Sequence, residues 1–281
     1  MGGIGKLTFH EKLAAAWQRA DSLLCIGLDP DPARIPLDDI AAFNIAIIEA
    51  TADLVCAYKP NVAFYEALGP ERGYAILRST LAAIPAEVIT LADAKRGDVG
   101  HTAEAYARAI FDDLGFDAAT VNPYLGGDSM QPWTRRAEKG AFVVCRTSNP
   151  GAVDLQDVRV ESDGRTRPLY EVVAEKARGW DEHSNVGLVT GATYPAEMAR
   201  LRELCPEMPF LVPGIGAQQG DLASAVRAGL DADGRGLLVS ASRVVTYASN
   251  GADFADAARA EAIRLRDEIN AERAATAARN R

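Results

Sequence analysis

Short apolar runs alternate with amphipathic segments eight times along the chain, and few folds accept that alternation. The runs are "SLLCIGLD" (22–29), "LVCAYKP" (54–60), "VITLADAK" (88–95), "AATVNPYL" (118–125), "AFVVCRTS" (141–148), "NVGLVTGA" (185–192), "PFLVPGIG" (209–216) and "GLLVSASR" (236–243). Each is short and apolar on both faces, the pattern of a strand buried in a parallel sheet. Between the runs, Leu77, Leu81 and Ile84 recur at i, i+4 and i+7. Tyr170, Val173, Ala177 and Trp180 share one helical face, as do Met198, Leu201 and Leu204. Pro195 suits a helix start, where its missing N–H costs nothing. Strands alternating with helices require right-handed crossovers and a parallel sheet. Eight such units predict an α/β fold, a (β/α)₈ TIM barrel rather than an open sheet. The chain has 281 residues, close to the ~250 typical of such barrels. We read 1–281 as a single domain with no dividing linker.

Three segments fall outside the repeat. Residues 1–8 contain "GGIGK", which mimics a phosphate loop, but no strand precedes it, so it reads as a flexible N-terminal arm. Residues 149–168 form a long polar connection after the fifth run, and loops of that length are usually functional or disordered. Residues 271–281 extend the last helix as a tail expected to fray.

Composition removes several function classes. The net charge is −9 with no block of like charges, which argues against non-specific binding to nucleic acid or to anionic membranes. The cysteines Cys25, Cys56, Cys145 and Cys205 are too far apart for a C-x-x-C pair, and three histidines allow no H-E-x-x-H helix. Cys25 and Cys145 lie in apolar runs and read as reduced core residues. No signal-peptide pattern opens the chain and no apolar run approaches the ~18 residues of a membrane span. The expectation is a cytoplasmic protein with no metal site.

In barrels of this kind the chemistry sits at the C-terminal ends of the strands. The runs end in Asp29, Lys59, Asp93 with Lys95, Asn122, Ser148, Pro213-Gly214 with Gln218 beyond, and Arg243. Polar groups gathered at one end of otherwise apolar strands predict a site there. The glycine-rich "PGIGAQQGD" leads into a helix, so backbone N–H groups and the helix dipole can face an anion, with Arg243 to pair with phosphate oxygens. The competing reading is a tight turn built on Gly214 and Gly216. A dinucleotide fingerprint is discounted, because G-x-G-x-x-x-G carries one residue too many. The third run ends in Asp93 and Lys95, with Asp98 just beyond. Asp93 and Lys95 are one residue apart, so in a strand both point into the barrel. There the charges stabilise one another's ionised forms, making Lys95 a general acid rather than a Schiff-base nucleophile. A purely structural ion-pair network at the barrel rim remains the alternative.

"DAKRGDVGHT" contains D-x-K-x-x-D followed four residues later by Thr102. It closely resembles the signature of the orotidine 5′-phosphate decarboxylase family, which completes UMP synthesis. "CIGLDP", "YKPNVAFYE", "TVNPYLGGDS", "TSNPGA", "VTGATYP", "LVPGIGAQ" and "SASR" follow the family's order across nearly the whole chain. The length, "TSNPGA" and "GATYPAE" look like its longer bacterial form. The resemblance implies that Lys95 protonates C6 of the pyrimidine and that Asp93 lies beside the departing carboxylate. It implies a homodimer in which Asp98 completes the charged network of the partner's site and Thr102 also crosses the interface. Asp29 and Lys59 would bind ribose hydroxyls, and Ser148 the pyrimidine ring. Gln218 and Arg243 would hold the 5′-phosphate of orotidine 5′-phosphate, with Pro213 lining the same pocket. No cofactor is implied, and His101 receives no role. The glycine-rich 213–220 segment and the 148–168 loop are the candidates for closure over substrate.

Two rival readings stay open at the sequence level. Related sugar-phosphate lyases share D-x-K-x-x-D but need a divalent metal; Lys59 and "TSNP" favour the nucleotide. A non-catalytic barrel that binds a phosphorylated ligand would have no evident need for Lys95 between carboxylates.

Overall fold

The computed structural model describes residues 7–214 and 221–279. Eight parallel strands close into a barrel: β1 (Leu24–Leu28), β2 (Ala57–Pro60), β3 (Ile89–Arg96), β4 (Ala118–Val121), β5 (Gly140–Arg146), β8 (Val186–Thr190), β9 (Phe210–Val212) and β10 (Leu237–Ala241). β10 pairs back onto β1 through Leu24↔Val239, Cys25↔Ser240 and Ile26↔Ala241. Each barrel strand grows from one of the eight apolar runs. All residues of β1, β2, β4, β8, β9 and β10 are buried, as expected for strands covered on both faces. Fully burying one such Val, Leu, Ile or Phe side chain contributes roughly 1.5–3 kcal/mol. All four cysteines are buried and free, and burial pushes the Cys25 thiol up to about 12.

The helices follow the sequence periodicity. Pro70–Ala83 buries Leu77, Leu169–Gly179 buries Tyr170 and Ala177, and Pro195–Leu204 opens on its proline and buries Met198 and Leu201. The helix Phe9–Ala20 begins with a capping box, the Thr8 and Glu11 side chains each bonding the other's backbone N–H. It lies across the N-terminal ends of the strands. Trp17 Nε1 donates to the Leu237 carbonyl at 2.9 Å, and Phe9 packs on Gly140, where a Cβ would meet its ring at 2.5 Å. One mouth of the barrel is thus plugged, which leaves the other for a site. The last helix runs unbroken from Phe254 to Arg279, with Asn270 Nδ2 donating to the Asp21 carbonyl at 2.7 Å. Among the described residues no helix is long and apolar enough to cross a membrane.

The 149–168 connection is more ordered than its polarity suggests. After a 3₁₀ turn at Pro150–Asp154, β6 (Arg159–Ser162) and β7 (Arg165–Pro168) pair as an antiparallel hairpin. Asp163 and Gly164 form its two-residue turn with φ of 53° and 71°. A tight turn with both central residues at positive φ matches the right-handed twist of its strands, which is why Asp-Gly favours it. The Arg167 side chain is buried against the hairpin's own helix, ion-paired with Glu175.

Candidate active site

Four charges of alternating sign stand in a row at the open mouth. Asp29 follows β1, Lys59 lies in β2, and Asp93 and Lys95 lie in β3. Lys59 Nζ donates to Asp93 Oδ2 at 3.0 Å, and Lys95 Nζ donates to Asp93 Oδ1 at 2.5 Å. Adjacent parallel strands bring them together, with an isolated bridge between Asn61 and Asp93 extending the β2–β3 pairing. Burial alone would raise the Asp93 carboxyl, but the Lys59 and Lys95 ammoniums outweigh it and hold the group well below the usual carboxylate range. Burial would likewise lower Lys59, yet the Asp29 and Asp93 carboxylates drive it above the ordinary lysine value. Asp93 and Lys59 therefore stay charged across the physiological range.

Strand alternation foretells the Asp93–Lys95 pairing, but the backbone achieves it differently. The β3–β4 register breaks between Ala92 and Arg96, and Lys95 sits at φ 47°, in the left-handed region that side chains with a Cβ rarely adopt. The buried Thr120 hydroxyl accepts from Lys95 N and donates to Asp93 Oδ1, both at 2.9 Å. Asp98 does not join this row within the chain. Its Oδ1 accepts from Val99 N at 2.7 Å, and the second cation on Asp93 is Lys59.

At the other end of the row, Asp29 Oδ1 accepts from Asn61 N at 3.1 Å and its Oδ2 accepts from the Ser242 hydroxyl at 2.6 Å. Gly27 makes room for this serine, because a Cβ there would lie 1.7 Å from Ser242 Oγ. The Tyr247 hydroxyl donates to the Asp29 carbonyl at 2.8 Å and accepts from Asp31 N at 2.7 Å, fixing the turn after β1. Arg243 opens a short helix, Arg243–Thr246. With Asp29, Asp31, Arg34, Phe64 and Tyr247 it lines a cavity of about 350 Å³. Pro213 directly follows β9, its carbonyl accepting from Ala192 N at 3.0 Å. Gln218 lies outside the described residues. The helix after the glycine-rich segment, Leu222–Gly229, is already capped by the Asp221 carboxylate.

Ser148 follows β5, half-buried, with Gly191 beside it at a distance where a Cβ would meet Ser148 at 2.7 Å. The 149–168 insert braces this loop. Gln156 Oε1 accepts from Thr147 N at 2.8 Å, and the buried Arg146 pairs with Asp157 at 3.0 Å while lying 4.0 Å over the Tyr194 ring. Thr102 is half-buried in the first turn of the helix Gly100–Ala107, and His101 is exposed. Sequence reasoning missed Thr120, Gln156, Ser242 and Tyr247. The first three lie in or beside quoted segments, but a threonine, a glutamine or a serine there carries no signal until a partner's position is known.

Known proteins share this fold and sequence. The orotidine 5′-phosphate decarboxylase / HUMPS family model matches residues 22–258. An orotidine 5′-phosphate decarboxylase of Roseiflexus sp. (strain RS-1) is 52% identical over 272 residues, covering 94% of this chain and 98% of the relative. The solved structure of Leishmania donovani OMP decarboxylase is 44% identical with a TM-score of 0.83, covering 95% of this chain and 99% of that one. Leishmania donovani UMP synthase is 45% identical with a TM-score of 0.85; it covers 95% of this chain, which spans 57% of that longer one. Barrel topology, a charged row on β2 and β3 and a match running through all eight barrel strands converge: the chain belongs to the orotidine 5′-phosphate decarboxylase / HUMPS family.

Proposed function

We propose that this chain converts orotidine 5′-phosphate to UMP and CO₂, the last step of de novo pyrimidine nucleotide synthesis, with Lys95 as proton donor and no cofactor. Relatives named for this activity over nearly their whole length support the reaction. The observation that carries the proton assignment is the Lys95 ammonium 2.5 Å from a carboxylate that Lys59 also neutralises.

Breaking the C6–carboxylate bond releases CO₂ and leaves an electron pair in the plane of the pyrimidine ring, where the ring π system cannot absorb it. A fixed ammonium beside C6 stabilises that charge as it forms, without reorganising, and then delivers its proton to C6. Asp93 sits beside the departing carboxylate and orients the Lys95 ammonium through its Oδ1. Asp29 and Lys59 meet the ribose hydroxyls, and Ser148 the ring. Arg243, Pro213 and Gln218 take the 5′-phosphate, which is remote from C6, so its binding energy can help close the loops around the site.

Asp98 and Thr102 belong, in this reading, to the neighbouring site of a homodimer. Asp98 Oδ1 is bonded to Val99 N rather than to its own Lys95, and Val99, Tyr124 and Leu125 leave an exposed apolar surface on the loops after β3 and β4 that a second copy would cover.

The test is a spectrophotometric assay of orotidine 5′-phosphate with chelator present. Wild type is expected to turn over, and Lys95→Ala to lose about 10⁴-fold or more in kcat. A folded wild type that leaves this substrate untouched sinks the reading, and activity on a sugar phosphate with magnesium would move the chain to a metal-dependent reaction.

A further inference from the structure

The mechanism above, on which this inference rests, needs Lys95 aimed at one point, and Lys95 has the least favourable backbone in the site. Its φ of 47° is one of four positive values among the non-glycine residues described, and the other three fall outside the barrel strands. Such a conformation persists only where the surroundings over-determine it. The β3–β4 ladder does not supply that support. Ala92 pairs with Ala119 and Arg96 with Val121, so the residues between them, Lys95 included, are left without regular partners.

Thr120 fills the gap. Its side chain is fully buried in β4. A hydroxyl has one proton to give and lone pairs to receive, and here both capacities are used on the same two residues. Lys95 N donates to Thr120 Oγ1, and Thr120 Oγ1 donates to Asp93 Oδ1. Asp93 Oδ1 is also the oxygen that holds the Lys95 ammonium. One hydroxyl thus ties the lysine's backbone to the carboxylate that orients its side chain, closing a small ring of Lys95 N, Thr120 Oγ1, Asp93 Oδ1 and Lys95 Nζ.

We propose that Thr120 is a positioning residue for the proton donor: its hydroxyl holds Lys95 in the left-handed conformation and fixes the Asp93 oxygen against which the ammonium is aimed. Removing the hydroxyl frees Lys95 N–H and lets β3 relax toward an ordinary strand, which moves Nζ away from its point of delivery. Ground-state nucleotide binding, which rests on Asp29, Lys59, Ser148 and Arg243, is left in place.

The experiment compares Thr120→Val and Thr120→Ser with wild type, reading kcat on orotidine 5′-phosphate and Kd for UMP, with amide hydrogen exchange at Lys95. Thr120→Val is expected to lower kcat about 10²-fold, the scale of a displacement near 1 Å. Its UMP affinity should stay within about twofold of wild type, and Thr120→Ser should recover kcat to within about threefold. The Lys95 amide should exchange slowly in wild type and in Thr120→Ser. An unchanged kcat in folded Thr120→Val, an equal loss in both variants, or a loss that appears as weaker UMP binding would each overturn the proposal. If Thr120→Val fails to fold, or if wild type does not turn over this substrate, wild-type exchange decides alone. A Lys95 amide exchanging at the rate of an open loop refutes the hydrogen bond to Thr120, whatever becomes of the decarboxylase reading.

Discussion

Lys59 and Lys95 hold the same carboxylate from opposite sides, yet one is part of the barrel and the other is part of its opening. The Lys59 side chain is 6% exposed and the Lys95 side chain 49%. Lys59 lies in a regular strand with Asp93 on one side and Asp29 on the other. Lys95 stands on irregular backbone at the rim, with a single carboxylate within its own chain. The fold thus uses one ammonium to fix Asp93 and leaves the second facing the mouth. On the proposed reading Lys95 is the ammonium that gives up its proton, and its exposure leaves it open to a substrate at the mouth.

The largest effect that would break this comparison concerns the missing carboxylate. If Asp98 reaches the partner's Lys95, Lys95→Ala and Asp98→Ala are each nearly inactive alone. Mixed and allowed to exchange subunits, they form heterodimers with one doubly altered site and one native site. Random pairing makes half of the dimers mixed, so activity should recover to about a quarter of wild type. Activity that stays at the level of the separate variants would place Asp98 in its own chain's site, or outside the site altogether.

A second contrast is in stability. Replacing Lys59 by Met leaves the Asp93 charge buried with half of its compensation, and breaking a buried pair in this way costs roughly 3–5 kcal/mol. Replacing Lys95 by Met removes a half-exposed partner, and such pairs contribute about 1 kcal/mol or less. Urea denaturation of the two variants, extrapolated to water, checks the difference. Equal losses would mean that the two lysines anchor Asp93 alike.

The two regions were also unequally legible in the sequence. The barrel could be read because burial on both faces writes apolar runs directly into the chain, and because strand ends fall at fixed places relative to those runs. Asp29, Lys59, Asp93, Lys95, Ser148 and Arg243 were found at the mouth for that reason. The Asp93–Lys95 contact followed from alternation, although φ at Lys95 is not that of a strand. What stayed hidden depends on long-range register. That Lys59 meets Asp93 requires knowing that β2 lies beside β3, 34 residues apart in the chain. Thr120 and Tyr247 act through hydroxyls whose partners are distant. The hairpin at 159–168 did carry a local signal, Asp163-Gly164, but its flanks are too polar to suggest strands. Order there comes from ion pairs, among them Arg167 with Glu175, rather than from a buried face.

The smallest effect separates the two ends of the row by pH. Asp93 has its carboxyl held well below the usual range in the folded state, against about 3.9 when unfolded. Its contribution to stability is therefore complete above that unfolded value and drains away as pH falls through the folded one. Lys59 is raised instead, so its contribution is complete at low pH and is lost only on the alkaline side. Acid titration of stability consequently reports on Asp93 and is silent on Lys59. Surface carboxylates lowered by their own partners, such as Asp53 beside Arg259 and Asp112 beside Arg136, add to the slope in every variant. The comparison is wild type with Asp93→Asn, each followed by urea denaturation from pH 6 down to about 2, the window that brackets an unfolded carboxyl. Asp93→Asn starts lower, because Lys59 loses its partner, but it should lose about 1–3 kcal/mol less than wild type over that window. Parallel slopes would show that the Asp93 carboxyl titrates alike in both states. The two lysines would then not be holding it as an ion, and the contrast between a structural and an available ammonium would lose its shared reference point.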